Sequence, residues 1–165
     1  MFSLAKRTED IMPFYAVELF KQAGALSAQG RDIISLGIGE PDFTAPAQVV
    51  DTLHRASEAG LSGYTEPAGL GLLRDAIATY YTKHFDARVD AQRVIVTSGA
   101  SGALMLACMA LINPGDEILM PDPCYPANRN FISSAGGSAR LIPCHAEQRY
   151  QLSAVSVNNS RPISM

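Results

Sequence analysis

The chain has 165 residues, 47% of them hydrophobic and 18% charged, and a net charge of -3 from 13 basic and 16 acidic side chains. That composition excludes intrinsic disorder, and the lack of a basic run removes the electrostatic footprint of a nucleic-acid binder. No apolar stretch reaches the roughly 20 residues that cross a bilayer, and the charged first ten residues lack a signal peptide's apolar core, so a cytoplasmic location is expected.

After Pro13, the apolar residues Phe14, Val17, Phe20, Ala23 and Leu26 recur at helical spacing, and Gly30 closes the segment, which predicts a helix over 14–27. The run Asp32-Ile-Ile-Ser-Leu36 then reads as a strand that enters a turn rich in glycine, proline and aspartate. A helix is predicted from about Ala45 to Ala59, where the early Pro46 costs no hydrogen bond, and another from Gly69 to His84. Beyond Arg93 the pattern alternates. Val94–Thr97 reads as a strand, Ala103–Ile112 as a helix, Glu117–Met120 as a strand, Asn128–Ala135 as a helix and Ala139–Pro143 as a third strand. Alternation of this kind predicts an α/β fold with a largely parallel sheet. A helix begins after Ser153, but the polar stretch Ser156–Met165 leads to no further strand, and three strands make a small sheet.

Some segments have the composition of ligand sites. Thr97-Ser-Gly-Ala-Ser-Gly102 joins a predicted strand to a predicted helix, and its small residues let a phosphate approach free backbone N–H groups at the positive end of the helix dipole. Alone, such a turn is more often a tight βα connection. Pro121-Asp-Pro-Cys-Tyr-Pro126 follows a predicted strand, and its prolines stiffen a loop that presents Tyr125 either for packing or for stacking on a planar ring. Gly37-Ile-Gly-Glu-Pro-Asp42 has Asp42 where a dinucleotide-binding turn needs its third glycine, which makes a nucleotide-dependent oxidoreductase a remote reading. Cys108, Cys124 and Cys144 lack Cys-x-x-Cys spacing, and His54, His84 and His145 show no mutual spacing for a metal. Reduced thiols and no metal are expected.

Three segments in order carry a more specific signal: Ser35-Leu-Gly-Ile-Gly-Glu-Pro-Asp-Phe43, Tyr64-Thr-Glu-Pro-Ala-Gly-Leu-Gly-Leu-Leu-Arg74, and Val96-Thr-Ser-Gly-Ala-Ser-Gly-Ala103 leading to Pro114-Gly-Asp-Glu117 and Pro121-Asp-Pro-Cys-Tyr125. Together they resemble the N-terminal portion of class I/II aminotransferases, the fold-type I enzymes that use pyridoxal 5′-phosphate. The likeness extends from about Thr8 to about Ala154. It implies an incomplete fold-type I α/β fold, with residues 1–44 an N-terminal arm and small-domain segment and 45–165 the first part of the large cofactor-binding domain.

The resemblance also implies roles. Gly99, Ala100 and Ser101 match the turn that holds the cofactor phosphate, Tyr125 the aromatic that stacks on the pyridine ring, and Tyr64 a tyrosine that reaches the phosphate of the neighbouring subunit in a homodimer. Gly39 matches the backbone beside the substrate carboxylate, Pro123 a cis proline, and Arg74 a structural position. The implied chemistry is transfer of an amino group from an amino acid to a 2-oxo acid, with a lysine as Schiff-base partner and proton carrier. Here the chain departs from the family. Its only lysines, Lys6, Lys21 and Lys83, all precede the phosphate turn, whereas the family's lysine follows it by more than a hundred residues. An Asn-Pro-x-Gly segment, the aspartate that pairs with the ring nitrogen and the carboxylate-binding arginine are also missing. The expectation is therefore a truncated aminotransferase that is inactive alone, with a non-catalytic regulator or degenerate interaction protein of the same fold as the alternative.

Overall fold

The structure is a computed structural model that describes residues 2–37, 39–61 and 63–159. Its contacts divide the chain into two compact units. One joins the N-terminal residues through Gly37 to the chain from Ala100 onward, and the other runs between them, up to Gly99.

The first unit is built on a βαβ arrangement. Strand β1 (Glu117–Asp122) pairs in parallel with β2 (Ser138–Pro143), from Glu117 opposite Ser138 to Asp122 opposite Pro143. Parallel neighbours need a crossover rather than a hairpin, and helix α5 (Ala127–Ser134) supplies it. Met120, Ile132, Ile142 and Cys144, one each from β1 and α5, one at the end of β2 and one just after it, are the buried apolar residues. At the entry to β1, Asp116 Oδ2 accepts the Asn113 backbone N–H at 2.7 Å, and the Gly115 N–H donates to Gly136 O at 2.9 Å. The first closes the turn before β1, and the second ties the starts of the two strands together. Helix α1 (Tyr15–Ala28) precedes this core and α4 (Gly99–Leu111) leads into it. After β2 comes α6 (Ala154–Asn159), whose first turn is capped where the Ser156 N–H donates to Ser153 Oγ at 3.0 Å. The polar stretch expected after Ser156 is therefore helical as far as Asn159; residues 160–165 lie outside the described residues.

The second unit holds α2 (Ala47–Glu58) and α3 (Gly71–Phe85), each within two residues of its expected bounds. Arg74, on α3, donates from Nε to Val94 O at 2.9 Å and places Nη1 3.5 Å from Glu66 Oε2. Its side chain is only 13% exposed, so the guanidinium is a structural tie, as the resemblance implied.

Two expected strands are not strands. Residues 32–36 have no regular structure, and residues 94–97 follow a 3₁₀ turn at Ala91–Arg93 as an extended segment. The Val96 N–H donates to Ala68 O at 2.9 Å, a single bond where a ladder needs several. β-Branched residues make a segment fit for a strand, but pairing is what makes it one. The described sheet has two strands, where three were expected.

Candidate cofactor site

Helix α4 begins at Gly99, four residues before the expected start at Ala103, so the candidate phosphate turn is the first turn of the helix itself. Gly99 has a φ of +72°, a left-handed conformation that side chains disfavour. Two bonds lock the approach: the Gly99 N–H donates to Thr97 O and Thr97 Oγ1 donates to Gly99 O, each at 2.8 Å. The amides of Ala100 and Ser101 then head the helix, where helical geometry gives an N–H no carbonyl four residues back. No acidic side chain occupies this first turn, and Gly99, Ala100 and Ser101 are all exposed. An anion placed here meets free donors, the Ser101 hydroxyl and the positive end of a 13-residue helix. The donor set fits a phosphate group.

Tyr125 stands in the loop after β1, at the carboxyl end of a parallel strand, where open α/β sheets bind ligands. The loop contains a cis peptide at Asp122–Pro123, as the resemblance implied, and leads through Pro126 into α5. Its base is fastened by the Cys144 N–H donating to Asp122 O at 2.8 Å and by Arg129 Nη2 donating to Asp122 Oδ1 at 3.3 Å. Tyr125 is 56% exposed, and its ring meets that of Phe14 at 5.6 Å between centroids, with the planes at 63°. A ring so placed keeps surface for stacking on a planar ligand.

The six candidate residues are divided between the two units. Gly99, Ala100 and Ser101 share a helical turn, and Tyr125 belongs to the same unit as Ala100 and Ser101. Tyr64 and Gly39 belong to the other unit, where Tyr64 is fully exposed and no atom beyond Gly39 itself and its two chain neighbours lies within 4 Å of the place a Cβ on Gly39 would take.

The sequence profile described as aminotransferase class I and II matches residues 31–160. The chain belongs to this family. The class I and II aminotransferases it resembles include the LL-diaminopimelate aminotransferase of Maridesulfovibrio salexigens, 34% identical over 94% of this chain and 41% of that protein. The (5-formylfuran-3-yl)methyl phosphate transaminase of Methanocaldococcus jannaschii is 35% identical over 81% of this chain and 36% of its own length. Among solved structures, the aspartate aminotransferase from Thermus thermophilus with maleate superposes with a TM-score of 0.92 at 29% identity, covering 98% of this chain and 42% of that one. The fold is thus part of a fold-type I aminotransferase, and the chain spans about two fifths of the length of the relatives it matches.

The surroundings of Tyr125 are not legible in the sequence. Phe14 has the spacing of a helix-face residue, yet its ring lies against Tyr125. Asn128 Oδ1 and Arg129 Nε, in the first turn of α5, are buried with no hydrogen-bond partner among the described residues. Asn130 bonds the backbone of Met12, 118 residues earlier. Contacts over such separations leave no periodic signal in the sequence. Among the described residues, no cluster of three His, Cys, Asp or Glu side chains is arranged to hold a metal, and no helix is long and apolar enough to cross a membrane.

Proposed function

We propose that the chain serves a cytoplasmic, homodimeric, pyridoxal 5′-phosphate-dependent aminotransferase that moves an amino group from an amino acid to a 2-oxo acid. Residues 1–44 contribute the arm and small-domain segment and 45–165 the first part of the large domain. The observation that carries this reading is the first turn of α4, where Gly99, Ala100 and Ser101 present an exposed, acid-free helix end to an anion.

In this reading the amides of Ala100 and Ser101, with the Ser101 hydroxyl, hold the phosphate of the cofactor. Tyr125 packs on its ring and keeps water from that face. Tyr64 serves the phosphate site of the neighbouring subunit, and Gly39 lends backbone to the substrate carboxylate. When bound, the cofactor supplies an electron sink for bond breaking at the amino acid's α-carbon. Lys6, Lys21 and Lys83 all precede Gly99, so none is assigned the Schiff-base role, and the 165-residue chain does not transaminate by itself.

Titration of the purified chain with pyridoxal 5′-phosphate, followed by tyrosine fluorescence quenching, tests the reading. Saturable binding that inorganic phosphate weakens by competition is expected, without steady amino transfer. Binding indifferent to phosphate would remove the α4 turn from the site, and sustained turnover would overturn the claim of inactivity.

A further inference from the structure

Asparagine is a poor choice for the body of a short helix, because its amide competes for backbone hydrogen bonds. Asn130 nonetheless is the fourth residue of α5. Its amide is engaged far away in sequence: Oδ1 accepts the Met12 backbone N–H at 3.1 Å, and Nδ2 donates to Met12 O at 2.9 Å. A carboxamide carries the same donor and acceptor pair as a peptide unit, so Asn130 grips Met12 as a neighbouring strand would. One turn along α5, Arg7 Nη1 donates to Ser134 O at 3.1 Å. The chain before α1 is therefore strapped to α5 by polar bonds. Apolar burial contributes little, since Ile11, Met12 and Pro13 are all exposed.

What the strap delivers is Phe14. Pro13 has a fixed φ and is the one residue between the gripped Met12 and Phe14. The Phe14 carbonyl then accepts the Val17 N–H at 2.9 Å, which starts α1. Held at both sides, the half-buried Phe14 ring meets Tyr125 at 5.6 Å in an edge arrangement. Tyr125 itself sits in an exposed loop, and this is the ring contact it makes among the described residues.

We propose that Asn130 is a positioning residue for Tyr125, acting through Met12 and Phe14 to set the ring before a ligand arrives. The functional part of this assignment rests on the reading of Tyr125 as the cofactor-stacking side chain. A preset ring loses less freedom on binding than a loose one, so the clamp contributes affinity without touching the ligand.

The sequence has no tryptophan, so Tyr125→Trp introduces a single fluorescent reporter at the position in question. In that background Asn130→Ala and Phe14→Ala are each expected to move the emission to longer wavelength and increase iodide quenching, with far-UV circular dichroism unchanged. The two substitutions combined should give no more than either alone, because both break one chain of contacts. Asn130→Asp keeps the acceptor for the Met12 N–H and loses the donor, so it should give a partial shift and serves if Asn130→Ala fails to fold. Affinity for pyridoxal 5′-phosphate should fall roughly two- to tenfold, the worth of an edge contact between aromatic rings. Unchanged emission in either Asn130 variant, or additive effects of Asn130→Ala and Phe14→Ala, overturns the proposal. Emission shifts without any cofactor binding would instead leave the clamp standing and defeat the cofactor reading of Tyr125.

Discussion

At Gly69 the backbone has a φ of +105°, and a Cβ there would stand 2.6 Å from Val96 Cγ2. Both the conformation and the space demand glycine, since Val96 is held in place by its bond to Ala68 O. Gly69→Ala is expected to cost about 1–3 kcal/mol, read as a fall in the urea midpoint with unchanged slope. Gly24 is the counter-case. It lies inside α1 with nothing within 4 Å of the place its Cβ would take, so Gly24→Ala should raise stability by about 0.5–1 kcal/mol. Equal effects of the two substitutions in the same urea titration would show that local geometry is not what decides them. From sequence alone the two glycines look alike, because the neighbour that distinguishes Gly69 is Val96, well beyond any local pattern. The turn at Gly99, Ala100 and Ser101 has a local signal, small residues between two apolar runs, and a helix begins at those very residues.

Helices were the legible elements, since a helix closes its own hydrogen bonds and shows its period within one segment. All six helices among the described residues lie near their expected places, and only α4 starts appreciably early, because Gly-Ala-Ser-Gly reads as a turn. The strands were half legible. β1 and β2 formed where apolar runs flank a crossover helix, whereas 32–36 and 94–97 have the composition of strands but find no ladder. The early start of α4 has a measurable consequence at Ser101. In Ser101→Glu a carboxylate enters the first turn of a helix that carries no acid there, which favours the helix by about 0.3–1 kcal/mol through its dipole. The same charge repels a phosphate from the same amides. A variant slightly more stable in a thermal melt yet weaker for pyridoxal 5′-phosphate is expected, and because the two effects have opposite signs, unfolding cannot account for the loss. Unchanged cofactor affinity would show that the phosphate does not use this turn.

For the whole molecule, surface is the dominant quantity. The chain exposes 13937 Å², whereas two separately folded units of these sizes would expose about 9,500 Å² by the usual scaling of area with mass. Large apolar side chains contribute to that exposed surface. Leu104, Leu106, Met109 and Leu111 of α4 are exposed, as are Leu72 and Leu73 of α3. A helix as apolar on all sides as α4 belongs in an interior, and full burial of a Leu or Met side chain is worth about 1.5–3 kcal/mol, part of which each of these forgoes. Few domains have that much stability to spare. Studied as the 165-residue chain, the protein should therefore bind a hydrophobic dye such as anilinonaphthalene sulfonate strongly and unfold over a broad, weakly cooperative range. It should also associate as concentration rises, in a way that moderate denaturant relieves before the β1–α5–β2 core is lost. Dye fluorescence, sedimentation velocity and near-UV circular dichroism across a urea series read these three properties together. A dye-silent monomer with a sharp transition would mean that these apolar faces are covered within the chain, and the exposed surface described for α3 and α4 would have to be abandoned.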